Sequence, residues 1–422
     1  MLQTEIYTNQ IPTLYAQFAV EIGDSHWRRR TMLLDREIKG NRFLREYLHA
    51  ENSIAYELEA LREHIAKFGP TGLPAIGLSC YGAARFAAQT ISIITNLPPK
   101  VAAQFRRRVQ GAFQNPDDMR GLQVELAIAT HFVRQGRRVT WPELDGTGTY
   151  DMYVNGLGPN GLAIECKAIS EDKGRRVHKR DALEFHALLE PLLVPITTGL
   201  STGLVGVLTV PARLPTNCKD RVQLAKQFAQ HILGNRSTTL SDGSRIAVKQ
   251  FDMSEFGYLP SINKRAARSA IDTVTGTANR ESMTIGTNAG GALVLTVQSA
   301  SDDLLMKTTF DTLSDAARRQ LPHTHAGILL AGFAGLSHDQ LASIAGQDFD
   351  QSQNPTNLRV HASKFLGGQN RDHVVGVGFL TASDFSRERN GIIDSAGAAY
   401  YFGRRESPFW SDDYSGMFGE IG

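Results

Sequence analysis

Tyr150-Asp151-Met152-Tyr153-Val154 leads through a glycine-rich turn into Leu162-Ala163-Ile164-Glu165-Cys166-Lys167-Ala168-Ile169. The two apolar runs read as the strands of a hairpin. Asn155-Gly156 and Asn160-Gly161 supply residues that tolerate positive φ, and Pro159 fits only outside a paired strand. Side chains alternate along a strand, so Leu162, Ile164, Cys166 and Ala168 share one face, while Glu165 and Lys167 share the other. On the first strand Asp151 and Tyr153 share a face, and Tyr150, Met152 and Val154 point away.

Charges in an apolar strand need a reason, because an unpaired charge is costly to bury. Two carboxylates brought together can hold a hard divalent cation such as Mg²⁺, which takes oxygen ligands. A lysine two residues on would reach a metal-bound water or a phosphate oxygen. The same side chains also make a plain buried ion pair. Glu-x-Lys occurs at Glu37-Ile38-Lys39, Glu165-Cys166-Lys167 and Glu171-Asp172-Lys173, and only the middle copy lies in an apolar strand after an Asp-bearing one.

Asn115-Pro116-Asp117-Asp118 reads as a helix start, with Asn as the cap, Pro in the first turn and acids on the positive end of the dipole. The helix is expected to run to Gln135 and stop at Gly136, with Leu122, Leu126, Ala129 and Val133 as its apolar stripe. Glu125 borders or joins that stripe. It is either a charge on the rim or a third carboxylate facing the hairpin.

This order, helix Glu125, then Asp151, then Glu165-x-Lys167, resembles the PD-(D/E)XK nuclease superfamily, whose fold is restriction-endonuclease-like. The residue before Asp151 is Tyr150 where the family has Pro. The family pattern continues with a helix and a further strand. Here His178 to about residue 193 reads as a basic-headed helix, Gly203-Leu204-Val205-Gly206-Val207-Leu208-Thr209-Val210 as a buried strand and Lys219 to Leu233 as another helix. The resemblance covers roughly a third of the chain and implies α/β architecture, with a mixed-sheet core flanked by helices. It also implies Mg²⁺ or Mn²⁺ as cofactor. Asp151, Glu165 and the backbone carbonyl of Cys166 would be metal ligands, with Lys167 catalytic and Glu125 binding a second cation or outer-shell water. The implied reaction is phosphodiester hydrolysis, most simply of double-stranded DNA, with 5′-phosphate and 3′-hydroxyl products.

The 422 residues suggest two or three domains. Residues 1–114 read as mostly helical: Phe43, Leu44, Tyr47 and Leu48, then Ile54, Leu58, Leu61 and Ile65, recur at helical spacing. Residues 115–252 would be the nuclease-like core. Residues 253–422 would be an α/β C-terminal region that extends the same sheet or forms its own domain. The Ser, Thr, Asn and Gly content of 253–290 places a boundary or a long excursion there. Gly77-Leu78-Ser79-Cys80-Tyr81-Gly82 misses the nucleophile-elbow spacing by one residue, and Gly286 to Gly291 lacks the Lys and following helix of a phosphate loop. His323 and His325 read as a loop pair rather than a metal site. The aromatic tail, Phe409, Trp410, Tyr414 and Phe418, is expected to dock on the body.

Net charge is +2, so nucleic-acid affinity would rest on local clusters. Arg28-Arg29-Arg30 reads as a solvated face, and Arg106-Arg107-Arg108 and Arg137-Arg138 stay open. The run from Lys173 to Arg180, with Arg175, Arg176, His178, Lys179 and Arg180, is the expected phosphate-backbone contact. Cys80, Cys166 and Cys218 form neither a disulfide framework nor a zinc spacing. With no leader pattern and no apolar run of about 18 residues, a cytoplasmic location without a membrane partner is expected. A homo-oligomer or a partner protein stays open. The rival expectation is a non-catalytic nucleic-acid- or protein-binding scaffold of the same fold in a larger assembly, for example a defence complex, with the acids reduced to a structural ion pair.

Overall fold

The computed structural model describes residues 2–70, 80–256, 264–276, 280–381, 384–387 and 392–418. The first three residues of the near-miss elbow, Gly77 to Ser79, lie outside them.

The chain opens with helices α1 (Ile11–Ile22), α2 (Ser25–Gly40), α3 (Leu44–Glu51), α4 (Ser53–Phe68), α5 (Tyr81–Asn96), α6 (Pro99–Ala112) and α7 (Pro116–Arg134). Strand β1 (Arg138–Thr140), the short helix α8 (Pro142–Asp145), β2 (Met152–Asn155) and β3 (Leu162–Ile169) follow. Next come α9 (Lys179–Leu189), α10 (Val194–Gly199), β4 (Gly203–Val210), α11 (Cys218–Leu233), β5 (Thr238–Thr239), β6 (Arg245–Phe251), α12 (Lys264–Thr275), β7 (Glu281–Gly286) and β8 (Ala292–Ser299). The chain ends with α13 (Leu305–Arg319), β9 (Gly327–Phe333), α14 (His338–Phe349), α15 (Asn357–Leu366), β10 (Val374–Leu380), the β11 (Asp384–Arg387) and β12 (Ile393–Ala396) pair, and β13 (Ala399–Gly403).

These elements form two compact units. The first comprises residues 1–35, 49–173 and 306–422, and the second comprises 36–48 and 174–305. The limits of these units fall at residues 35, 48, 173 and 305. Within the range 253–290, α12 and β7 belong to the second unit, and residues 257–263 and 277–279 lie outside the described residues.

The first unit holds a mixed sheet of order β1-β2-β3-β9-β10-β13. The β1–β2 and β2–β3 pairs are antiparallel, β3–β9 and β9–β10 parallel, and β10–β13 antiparallel. Parallel neighbours need long crossovers. The β9–β10 crossover is α14 and α15; the β3–β9 crossover contains residues 174–305 and α13. The strand beside Glu165-x-Lys167 is thus β9, with Glu165 opposite Leu329 and Lys167 opposite Ala331. It is not Gly203–Val210, which lies in the second unit's sheet of order β5-β6-β4-β8-β7. Both strands are buried apolar runs after a helix, so their local patterns are alike.

Helix α7 has two apolar faces. Met119, Leu122 and Leu126 join the core of the N-terminal helices with Phe18, Trp27, Leu58, Phe86 and Phe105. Ile128, Ala129 and Phe132 join the sheet core with Met152, Val154, Leu162, Ile164 and Cys166. The helix comes close to the sheet at Gly332, where an added Cβ would stand 2.5 Å from Val124 Cγ2. The opposite sheet face is covered by α13 and α15, where Phe310 lies 5.8 Å from both Phe365 and Phe379. The aromatic tail packs on the hairpin side: Tyr414 is fully buried and donates to the Gly161 carbonyl at 3.4 Å, and Phe418 stacks on His131. In the second unit α9 and α11 cover one sheet face through Phe185, Phe228 and Ile232, and Val274 of α12 packs on the other. Among the described residues no helix is long and apolar enough to cross a membrane.

Candidate active site

Asp151 sits immediately before β2, whose pairing of Met152 with Ile164 carries Asp151 opposite Glu165. The acids exchange contacts across the strand ends. The Asp151 amide donates to Glu165 Oε2 at 3.2 Å, and the Cys166 amide donates to Asp151 Oδ2 at 2.7 Å. Glu165 and Lys167, two apart on one strand face, meet at 2.6 Å between Oε1 and Nζ. Cys166 turns its side chain into the sheet core, as the alternation requires.

Glu125 is buried on α7, between the residues of that helix's two apolar faces. Its partner is Arg108 of α6, whose Nη2 donates to Glu125 Oε1 at 2.6 Å and whose Nη1 lies 3.5 Å from Glu143 Oε2 on α8. Sequence reasoning missed Arg108 and Glu143. A signal for Arg108 existed: it lies three residues after Phe105 and four before Ala112, both buried, so it borders the buried stripe of α6.

The cluster is short of positive charge. Glu125, Asp151 and Glu165 are 4%, 7% and 1% exposed, and the basic side chains against them are Arg108 and Lys167. Burial, then the charge of Asp151, pushes Glu125 up to about 8 despite Arg108. The same two causes push Glu165 up to about 8 despite Lys167. Burial raises Asp151 too, against the Cys166 amide and the Lys167 charge. For Lys167 burial disfavours the ammonium, but Glu165 outweighs it and its pKa is raised. Three buried carboxyl groups among two cations favour retention of a proton by the cluster. Oxygen-only donors with excess negative charge suit a hard dication. Among the described residues, no three acid, imidazole or thiol groups stand ready-made as a ligand set; each carboxylate is engaged by a protein donor.

No family model, curated protein or solved structure matches this chain.

The expected phosphate-contact residues belong to the second unit. Arg175 pairs with Glu281 and Asp303, and Arg180 pairs with Glu37 and Glu184. Arg176 donates to Asp303 through its amide and to the Asp302 carbonyl through Nε, and His178 lies 4.0 Å from Asp181. Lys179 begins α9. The structure thus gives Arg175 and Arg180 structural partners inside their own unit. In the other basic clusters, Arg28 pairs with Asp24 and Arg106 with Glu21. His323 and His325 diverge: His323 packs on His373, and His325 on Tyr150 and Tyr153.

Proposed function

We propose that the first unit is a divalent-metal-dependent phosphodiesterase acting on DNA, built on a restriction-endonuclease-like core. The observation that carries this reading is the meeting of Asp151, Glu165 and Lys167 at one end of adjacent strands, with Glu125 buried in the helix that packs on them. The resemblance implies an acid-bearing helix, an Asp-bearing strand, a Glu-x-Lys strand, then a helix and another strand. In support, β2 and β3 pair antiparallel, α7 packs on them, and β9 lies parallel to β3 after residues 174–305 and α13.

Asp151, Glu165 and the Cys166 carbonyl would hold Mg²⁺ or Mn²⁺, with Glu125 beside them. When bound, the ion supplies Lewis-acid polarisation of the phosphoryl group and a bound water of lowered pKa. Lys167 exchanges its contact with Glu165 for the phosphate, placing an ammonium where charge develops in the transition state. Arg108 orients Glu125 and favours its ionised form. The Cys166 amide fixes the Asp151 carboxylate and spares it a search among rotamers.

The scaffold reading is favoured by one observation: every carboxylate of the cluster already has a protein partner. Purified protein incubated with supercoiled plasmid and Mg²⁺ or Mn²⁺, beside EDTA and the Lys167→Ala variant, separates the two. Metal-dependent nicking that disappears in the variant supports the enzyme. Full activity in the variant sinks the assignment of Lys167. Absence of both cleavage and Mn²⁺ binding selects the scaffold.

A further inference from the structure

Tyr153 follows Asp151 by two residues on the same sheet face, so it lies roughly 7 Å farther along the strand. Its strand partner Ala163 donates through its amide to the Ala326 carbonyl at 3.0 Å, which sets His325 beside Tyr153. Their rings stand 5.6 Å apart at 88°, and Tyr150 lies 6.4 Å from Tyr153 and 6.2 Å from His325. Tyr153 and His325 wall an open cavity of ≈ 530 Å³, whose other walls include Asn155, Asn160 and Gly161 of the hairpin turn and Thr324.

The walls are held in place. The Tyr153 hydroxyl donates to the Asn160 carbonyl. Gly161, at φ +71°, lets the ring lie on the turn, where an added Cβ would overlap the tyrosine hydroxyl. Asn155 Nδ2 donates to the Arg138 carbonyl at 3.3 Å, and Thr324 Oγ1 lies 3.1 Å from His325 Nδ1. Burial keeps His325 below its usual 6.5, so its ring is uncharged at neutral pH. Among the described residues the lining holds no carboxylate, ammonium or guanidinium. Such a lining has nothing to balance a phosphate or a metal ion. It suits a flat, neutral molecule that stacks on one ring, meets the edge of the other, and bonds amides and a hydroxyl along its rim. Of the parts of a DNA strand, that is the base.

We infer that this cavity receives an unpaired nucleobase, so that the substrate of the carboxylate cluster is DNA with a single-stranded segment beside the bond cleaved. The inference deepens the phosphodiesterase reading and rests on it for the cleavage step. A base inside a duplex has its faces stacked and its edge bonded, and reaches such a cavity only at the cost of unstacking. A base already unpaired avoids that cost. Every base has a face to stack, so the selection is for strand state rather than for sequence.

The test is fluorescence anisotropy of the full chain with labelled single-stranded oligothymidylate and with its duplex with oligoadenylate, in EDTA so that neither is cleaved. Wild type is expected to bind the single strand at least about tenfold more tightly, the size of one base stack. Tyr153→Leu and His325→Leu are each expected to erase that preference and to leave duplex affinity and the far-ultraviolet circular dichroism unchanged. Equal affinity of wild type for the two probes, or binding of neither, overturns the inference, as does an intact preference in both folded variants. A Tyr153-dependent preference in a chain that shows no metal-dependent cleavage refutes the phosphodiesterase reading and leaves the base site standing.

Discussion

The Cys166 backbone amide donates to Oδ2 of Asp151 at 2.7 Å, so the first acid of the cluster is also the group that closes the open end of the hairpin. Structure and proposed chemistry share one carboxylate, and two substitutions separate them. Asp151→Asn keeps an acceptor for the amide and removes the charge. It is expected to retain the melting temperature within about 2 °C and to lose metal-dependent cleavage by at least about 10²-fold. Asp151→Ala leaves a buried amide unpaired and costs about 1–3 kcal/mol besides. Thermal unfolding of both variants beside the plasmid assay decides it; equal destabilisation by Asn and Ala contradicts the capping role.

Protons and metal compete for the cluster. Glu125 and Glu165 are each pushed up to about 8, so below that pH a cation must displace a proton to bind. Mn²⁺ affinity is expected to rise between pH 6.5 and 8, by up to about tenfold per unit for each proton released, and to level off above. In the metal-free protein the sign for stability is the reverse. These acids favour the folded state at low pH, and that contribution declines as pH rises from the unfolded value of 4.5 towards about 8. Calorimetry at three pH values measures both trends, and a flat Mn²⁺ affinity would remove these carboxyls from the ligand set.

Arg108 and Glu125 form a pair in which the acid is buried and the base about one-third exposed. Arg108→Met leaves the buried Glu125 carboxyl without its donor and is expected to cost about 1–3 kcal/mol, more at pH 8.5 than at pH 6. In a Glu125→Gln background the same change should cost under about 0.5 kcal/mol. Denaturant unfolding of the four proteins completes the cycle.

His186 is fully buried in the second unit's core, and neither ring nitrogen has a hydrogen-bond partner among the described residues. Burial lowers it to about 4, from 6.5. The folded state therefore prefers the neutral ring. Stability from this group is complete above pH 6.5 and is lost as pH falls from 6.5 through 4, by roughly 3 kcal/mol in all. His186→Leu is expected to flatten that acid limb and raise the melting temperature at pH 5. An unchanged acid limb in the variant would mean that another group drives it.

Gly332 lets α7 approach the strand beside Lys167. Gly332→Ala sets a methyl against the stiff Val124 side chain and is expected to cost about 1–3 kcal/mol. Val124→Ala should relieve most of it. Additive destabilisation in the double variant would show that the clash lies elsewhere.

Period-two alternation alone placed Glu165 and Lys167 on one face and Cys166 on the other, since a strand has no alternative way to bury Leu162 and Ile164. The Asn115 cap and Pro116 likewise set where α7 begins, because capping is a contact between near neighbours. The partner of β3 was not legible. The runs Gly203–Val210 and Gly327–Phe333 are equally apolar, and either satisfies the local pattern of a central parallel strand. Only the packing of the whole chain selects β9 and turns residues 174–305 into an excursion. Arg108 joined the cluster for the same reason: a helix face is readable from spacing, but the acid it meets 17 residues on is chosen by how α6 and α7 cross. Local periodicity determines which side chains share a face, and tertiary packing determines which faces meet.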